Sequence, residues 1–319
     1  MAADSLRIHT VASLNAGPRL VVLGGVHGDE TCGSAGIERM LVELAAGTLQ
    51  LLRGRLTLVP VANPLARRRG KREGERNLNR SFRPTAAPAD NEDRIANLLC
   101  PLLDAHGVLL DLHSFQSAGE PFAMIGPRDN SGTLEPFARA FEEGQLALHL
   151  GTRIVVEGWL DVYAAGLAQR AGGRPPEDDA LDFGRGTNEY MRTRGGYGVT
   201  LECGQHRDPA APGVAHAAIH AALRLLGMVN EAPGVPPAPQ LLRLVGVSDR
   251  LHQDDQFVRE WATFDAVARG EAIGLREDGR VLSAERDGFI VFPNTEALPG
   301  TEWFYFAVAS ERDLRRGAS

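Results

Sequence analysis

Three cysteines in 319 residues, far apart at Cys32, Cys100 and Cys203, are too few and odd in number for a disulfide framework. A reducing, cytoplasmic setting fits that usage best. No apolar run approaches the length that spans a bilayer, and the N-terminal MAADSLRIHT is too polar for a signal peptide. A basic excess is also missing. The formal net charge of -7 argues against nucleic acid and anionic membrane as partners, since both reward a basic surface. No internal repeat is visible. What is there is an ordinary globular composition, 43% apolar and 24% charged, in a chain long enough for one large domain or two.

Short apolar runs alternate with helical patterns through most of residues 1–230. Residues 20–25 (LVVLGG), 56–61 (LTLVPV), 108–113 (VLLDLH), 152–156 (TRIVV) and 197–203 (YGVTLEC) predict strands. Residues 32–46, 91–103 and 210–229 predict helices, the second with Asp90 as its N-cap. Such alternation predicts an α/β fold with a mixed central sheet flanked by helices. Residues 230–240 (NEAPGVPPAPQ) contain four prolines and read as a linker. Beyond it, turn signals separate β-like runs at 288–292 and 303–308, which predicts a small C-terminal all-β domain. The expected division is a catalytic domain at 1–230, a Pro-rich linker at 231–240 and the β domain at 241–319. The polar, Gly/Pro-rich segment 171–182 reads as a surface loop.

The chemistry-bearing residues sit at predicted strand ends. His27 and Glu30, in GGVHGDE, offer two metal ligands three residues apart, although an ordinary Gly-rich turn would look the same. Asp111 and His113 fall on one side of their strand by alternation. His113 alone reads as a core histidine, and Asp111 either as a partner that orients a ligand or as a strand-end cap. Strand carboxyl ends in an α/β sheet form the crevice where ligands bind, so these residues can meet there. Glu202 follows an apolar strand and is either a general base or half of a structural salt bridge. Cys203 faces the opposite way and reads as core. His206 is a candidate for the rim of such a site. His216 and His220 have the i,i+4 spacing that can bind a metal, but read first as an exposed or packed pair.

Residues 67–83 (RRRGKREGERNLNRSFR) hold eight basic side chains. A nucleic-acid patch, a solvated loop and an arginine clamp for a carboxylate all fit such a run. The acidic chain and the scarcity of aromatics within the run weigh against the first.

In order, GGVHGDE, NPLA, two arginines spaced R-x7-R with NLNRSF, DLHS and TLECG resemble the succinylglutamate desuccinylase/aspartoacylase family. That family comprises zinc amidohydrolases on a metallocarboxypeptidase-like fold with a small C-terminal β domain. The resemblance implies one zinc per chain, held by His27, Glu30 and His113, with Glu202 as the catalytic glutamate. It further implies that Arg72 polarises the scissile carbonyl and that Asn79 and Arg80 bind the substrate carboxylate. Arg192 falls where aspartoacylase has another substrate-binding arginine.

There are two departures. Asn77 stands where the family often has aspartate, a change the resemblance ties to the orientation of Arg72. No tyrosine occurs at 291–303, where aspartoacylase's C-terminal domain supplies one to its site. The expected reaction is hydrolysis of the amide bond of an N-acyl amino acid or similar small carboxylate-bearing substrate, and a homo-oligomer is compatible with the sequence. The alternatives are a zinc metallocarboxypeptidase acting on peptides and a non-catalytic small-molecule binding protein on the same fold.

Overall fold

Leu20, Val21, Val22 and Leu23 are wholly buried, as a parallel strand requires when both faces of its sheet are covered. The computed structural model describes residues 5–132, 134–173, 178–236 and 238–315. The buried run forms β2 (Arg19–Gly24), after the exposed edge strand β1 (His9–Ala12) and before α1 (Cys32–Ala46). β3 (Arg55–Val59) stops at Pro60, which has no N–H for the ladder, and the short α2 (Pro64–Arg69) follows. α3 (Asn91–Asp104) is capped as its sequence predicts: the Asp90 carboxylate accepts from the Asp93 N–H at 2.7 Å. Next come β4 (Val108–Phe115), β5 (Phe122–Met124), α4 (Ala140–His149) and β6 (Ile154–Glu157). α5 (Trp159–Arg170), α6 (Asp178–Phe183), α7 (Thr187–Thr193), β7 (Tyr197–Gln205) and α8 (Ala211–Leu225) complete the α/β part. The remaining elements are strands: β8 (Gln240–Asp249), β9 (Gln256–Phe257), β10 (Ala266–Val267), β11 (Ala272–Leu275), β12 (Val281–Ser283), β13 (Gly288–Val291) and β14 (Glu302–Ala309).

A mixed sheet of eleven strands runs in the order β1-β3-β2-β4-β7-β5-β6-β8-β14-β13-β10, and β12-β11-β9 make a separate small antiparallel sheet. β3, β2, β4 and β7 are mutually parallel, so their carboxyl ends open on one side. Alternation sorts their side chains between two cores. Leu20, Val22, Leu110, Leu112, Val199, Leu201 and Cys203 pack on the face covered by α1 and α8. Val21, Leu23 and Leu109 pack on the opposite face with residues of α3 and α7. Asp111, His113 and Glu202 share the second parity, and Cys203 lies in the first core as expected. No described helix is long and apolar enough to cross a membrane.

The structure differs from the sequence-based expectation in several places. The β segment after residue 240 is present, but β8 pairs parallel with β6 from Ile154↔Gln240 to Glu157↔Arg243. The main sheet therefore continues into the C-terminal part. The segment 171–182 is not a loop throughout: residues 174–177 lie outside the described residues, and the chain is helical from Asp178. The helices α4, α5 and α7 have no counterpart in the sequence reading. In α5 the buried Leu160, Val162 and Tyr163 lie close together in sequence, so no clean apolar stripe marks the helix.

Candidate metal and active site

His27 and Glu30 occupy the turn between β2 and α1. That turn lies so close to α2 that a Cβ on Gly28 would stand 2.0 Å from the Ala66 carbonyl carbon, and only glycine fits. His113 is near the end of β4, and Glu202 sits directly opposite it in the β4–β7 register. Parallel pairing and equal parity thus bring the strand-end residues together.

The Glu30 carboxylate spans the two histidines. Its Oε1 lies 2.8 Å from His27 Nδ1 and its Oε2 2.9 Å from His113 Nδ1. The three donor atoms fall within 4.8 Å of one another, and all three residues are buried. The outer ring nitrogen of His27 is hydrogen-bonded, and that of His113 has a carboxylate beside it. Asn77 Oδ1 is 3.0 Å from His27 Nε2, and Asp111 Oδ1 is 3.1 Å from His113 Nε2. Asp111 is held in turn by the Thr187 hydroxyl at the start of α7, and the Ser114 N–H donates to Glu30 Oε2 at 3.1 Å. Orienting partners on both histidines are what a metal site needs to fix ring position and tautomer.

Charge follows from burial and neighbours. Burial and then the Arg72 charge push the His27 pKa down to about 4, which favours the neutral, ligating imidazole. Burial opposes charge on His113 too, but the Asp111 and Glu30 carboxylates outweigh it and hold its pKa well above the ordinary value. For Glu30, burial is outweighed by the two histidines, and its pKa lies well below the usual carboxylate range. Two imidazole nitrogens and a carboxylate form a donor set that fits a catalytic divalent cation with open positions.

Glu202 differs from the other acids. It is buried, its Oε2 has no hydrogen-bond partner among the described residues, and burial raises its pKa to about 8 against the pull of His113. An unpartnered carboxylate in such a place is costly for stability alone, and such perturbed groups gather at functional sites.

The arginine run divides between structure and site. Arg67 bonds Ser34, Arg69 the Gly74 carbonyl, Arg76 both Asp90 and Asp93, and Arg83 Asp182. Arg72 is half-exposed and donates to Glu30 Oε1 at 3.0 Å. Arg80 lies over the Trp159 ring, 4.9 Å from its centroid, and donates to the Asn79 carbonyl; no carboxylate pairs with it among the described residues. Asn79 accepts from the Thr187 N–H at 2.9 Å, so its side chain also secures the start of α7. His27, Arg72, Asn79, Arg80, His113 and Glu202 all line one cavity of about 590 Å³. His206 lines it too, with Nδ1 2.8 Å from Ser114 Oγ.

Three placements depart from the sequence-based picture. Arg192 lines the same cavity, but it is buried, and its Nε and Nη1 donate to Glu143, Glu135 and Glu189 while Nη2 donates to the Gly198 carbonyl. Its guanidinium is thus engaged by three carboxylates of the protein. Asn77 was tied to Arg72 by the resemblance, yet its side chain contacts His27. The signal was visible in NLNR, but the partner was not. Tyr305 reaches the cavity from β14, together with Phe292 and Thr301, whereas the sequence assigned no site role to any residue of this region. Its alternation with neighbouring aromatics in WFYFAV hid which of them faces the cavity.

Residues 16–143 match the model of the succinylglutamate desuccinylase/aspartoacylase catalytic domain. A protein of Burkholderia orbicola named succinylglutamate desuccinylase is 29% identical over 97% of this chain and 87% of its own length. An N-alpha-acetyl-L-2,4-diaminobutyric acid deacetylase of Halomonas elongata is 36% identical, over 33% of this chain and 31% of that protein. In fold, the chain resembles a solved succinylglutamate desuccinylase/aspartoacylase from Rhodobacter sphaeroides, with a TM-score of 0.72 at 18% identity over 96% of this chain and 90% of that one. The catalytic-domain match over residues 16–143 and the near full-length likenesses in sequence and fold agree in what they resemble, the succinylglutamate desuccinylase/aspartoacylase family.

Proposed function

We propose that this chain is a zinc-dependent deacylase that hydrolyses the amide bond of an N-acyl amino acid or similarly small carboxylate-bearing substrate. The observation that carries the reading is Glu202: a buried carboxylate with an oxygen unpartnered among the described residues, in register with His113 beside a two-histidine, one-glutamate donor set. His27, Glu30 and His113 would hold the zinc, which supplies Lewis acidity that makes a water nucleophilic near neutral pH. Glu202 takes a proton from the attacking water and returns it to the leaving nitrogen. Arg72 lies where a guanidinium can stabilise charge developing on the carbonyl oxygen. Arg80, a cation without a carboxylate partner among the described residues, binds the substrate carboxylate, and Asn79 supports it.

Two further observations support a small substrate. The cavity volume lies in the range of small-molecule sites, and Phe292, Thr301 and Tyr305 from the C-terminal part wall it. The relatives' names, a desuccinylase and a deacetylase, both denote removal of an acyl group. The test is Glu202→Gln, assayed for metal content and for amine release from a panel of N-acyl amino acids. The variant should keep its metal and lose roughly a thousandfold in turnover. Wild-type turnover in that variant would remove Glu202 from the mechanism. Cleavage of short peptides, with no N-acyl amino acid accepted, would replace the deacylase with a carboxypeptidase.

A further inference from the structure

Away from the cavity a second set of donors converges, on the outer helical layer. His216 and His220 lie one turn apart on α8, their rings edge to face with centroids 4.8 Å apart. Glu43 on α1 faces them: its Oε1 is 2.7 Å from His216 Nε2 and its Oε2 is 2.8 Å from His220 Nε2. One ligand atom from each residue lies within 4.8 Å of the others. The arrangement repeats that of the cavity, where one carboxylate spans two imidazoles.

The frame holding these donors is rigid. A Cβ on Gly36 of α1 would stand 2.7 Å from Ala215 Cβ and 2.9 Å from the His216 N, so α1 and α8 approach as closely as glycine allows. Ile37 and Met40 of α1 and Ala215, Ile219 and Ala222 of α8 are buried in one core. Donor positions are thus set by helix packing rather than by a loop, which is the condition for a preorganised site.

The donor chemistry selects the ligand. Two neutral imidazoles and one carboxylate bring a single negative charge and suit a borderline cation of the zinc type, whereas magnesium and calcium prefer oxygen ligands. The side chains are 23%, 21% and 30% exposed for His216, His220 and Glu43, so water has access to complete a four-coordinate shell. The geometry points to a second divalent transition-metal site, formed by Glu43, His216 and His220, that clamps α1 to α8. α1 begins two residues after Glu30, and α8 follows the strand that carries Glu202. The clamp therefore ties together the two helices that lead away from the candidate active site.

The experiment is a zinc titration of the chelator-stripped protein near neutral pH, with bound metal counted after desalting. Wild type should take up two equivalents at micromolar zinc. His216→Gln and His220→Gln should each hold one, with the second step weakened about 100-fold or more and turnover within about twofold of wild type. Glu30→Ala should retain the outer equivalent alone, seen with cobalt as a visible absorption band that His220→Gln abolishes. This readout does not depend on the deacylase reading. Where a histidine variant fails to fold, Glu43→Gln takes its place. A single equivalent in wild type, or a second equivalent kept by the histidine and glutamate variants, would overturn the site.

Discussion

The two histidine–glutamate clusters use the same donor types in the same bridging pattern, and they differ in what surrounds them. In the cavity the side chains of His27, Glu30 and His113 are 2%, 1% and 3% exposed, and each histidine has a polar side chain beside its outer nitrogen. On the helices the corresponding exposures are 23%, 30% and 21%, and no hydrogen bond to the Nδ1 of either histidine is found among the described residues. The cavity set also has Glu202, Arg72 and Arg80 around it, whereas the outer set faces water. Ligand identity therefore separates neither cluster from the other. Burial, orienting partners and a neighbouring base separate a site that can do chemistry from one that can only bind.

The comparison can be broken in several ways. The largest effect is expected from His113→Ala, which should lose the cavity metal and all measurable hydrolysis while leaving the outer equivalent in place. Metal content and amine release check both halves. Asn77→Ala should weaken metal at the cavity about 10- to 100-fold by freeing the His27 ring, and Asn77→Asp should tighten it by making His27 more basic. Equal affinities in all three proteins, measured by competition with a chelator, would show that Asn77 does not orient His27.

Asp255 provides a carboxylate held by protein donors alone. It accepts from the N–H groups of Leu251, His252 and Glu277 and from Arg276, which hold its pKa far below the ordinary value despite its burial. Because the folded value lies below the unfolded one, its stabilisation is complete above about pH 4 and is lost as pH falls through the folded value. Asp255→Asn should cost about 2 kcal/mol near neutral pH and flatten the acid limb of the stability curve, in the presence or absence of metal. Denaturant titrations across pH measure this. The smallest effect belongs to His220→Gln, which should leave turnover within about twofold and lower the zinc-loaded unfolding midpoint by about 2–4 °C.

Much of the site could be read in the sequence because strand alternation is local. The parity of Asp111, His113, Glu202 and Cys203 along their strands put each on the correct face before any partner was known. The ligand spacing at His27 and Glu30 was legible for the same reason, since one turn holds both. Arg192 illustrates the opposite case. Its motif position resembled a substrate arginine, but Glu135 and Glu143 arrive from a distant part of the chain and engage it. The partner of Asn77, fifty residues away at His27, was likewise hidden.

By itself, the sequence determined the central strands that carry the site, their faces, the α/β class and the residues able to bind a metal, because these depend on period, spacing and side-chain chemistry. Only the tertiary structure decided that β8 joins β6, that Tyr305 reaches the cavity, and that Glu43 completes the His216–His220 pair. Each of these depends on elements remote in sequence meeting at one place, and helix or strand periodicity carries no record of which partner packs opposite.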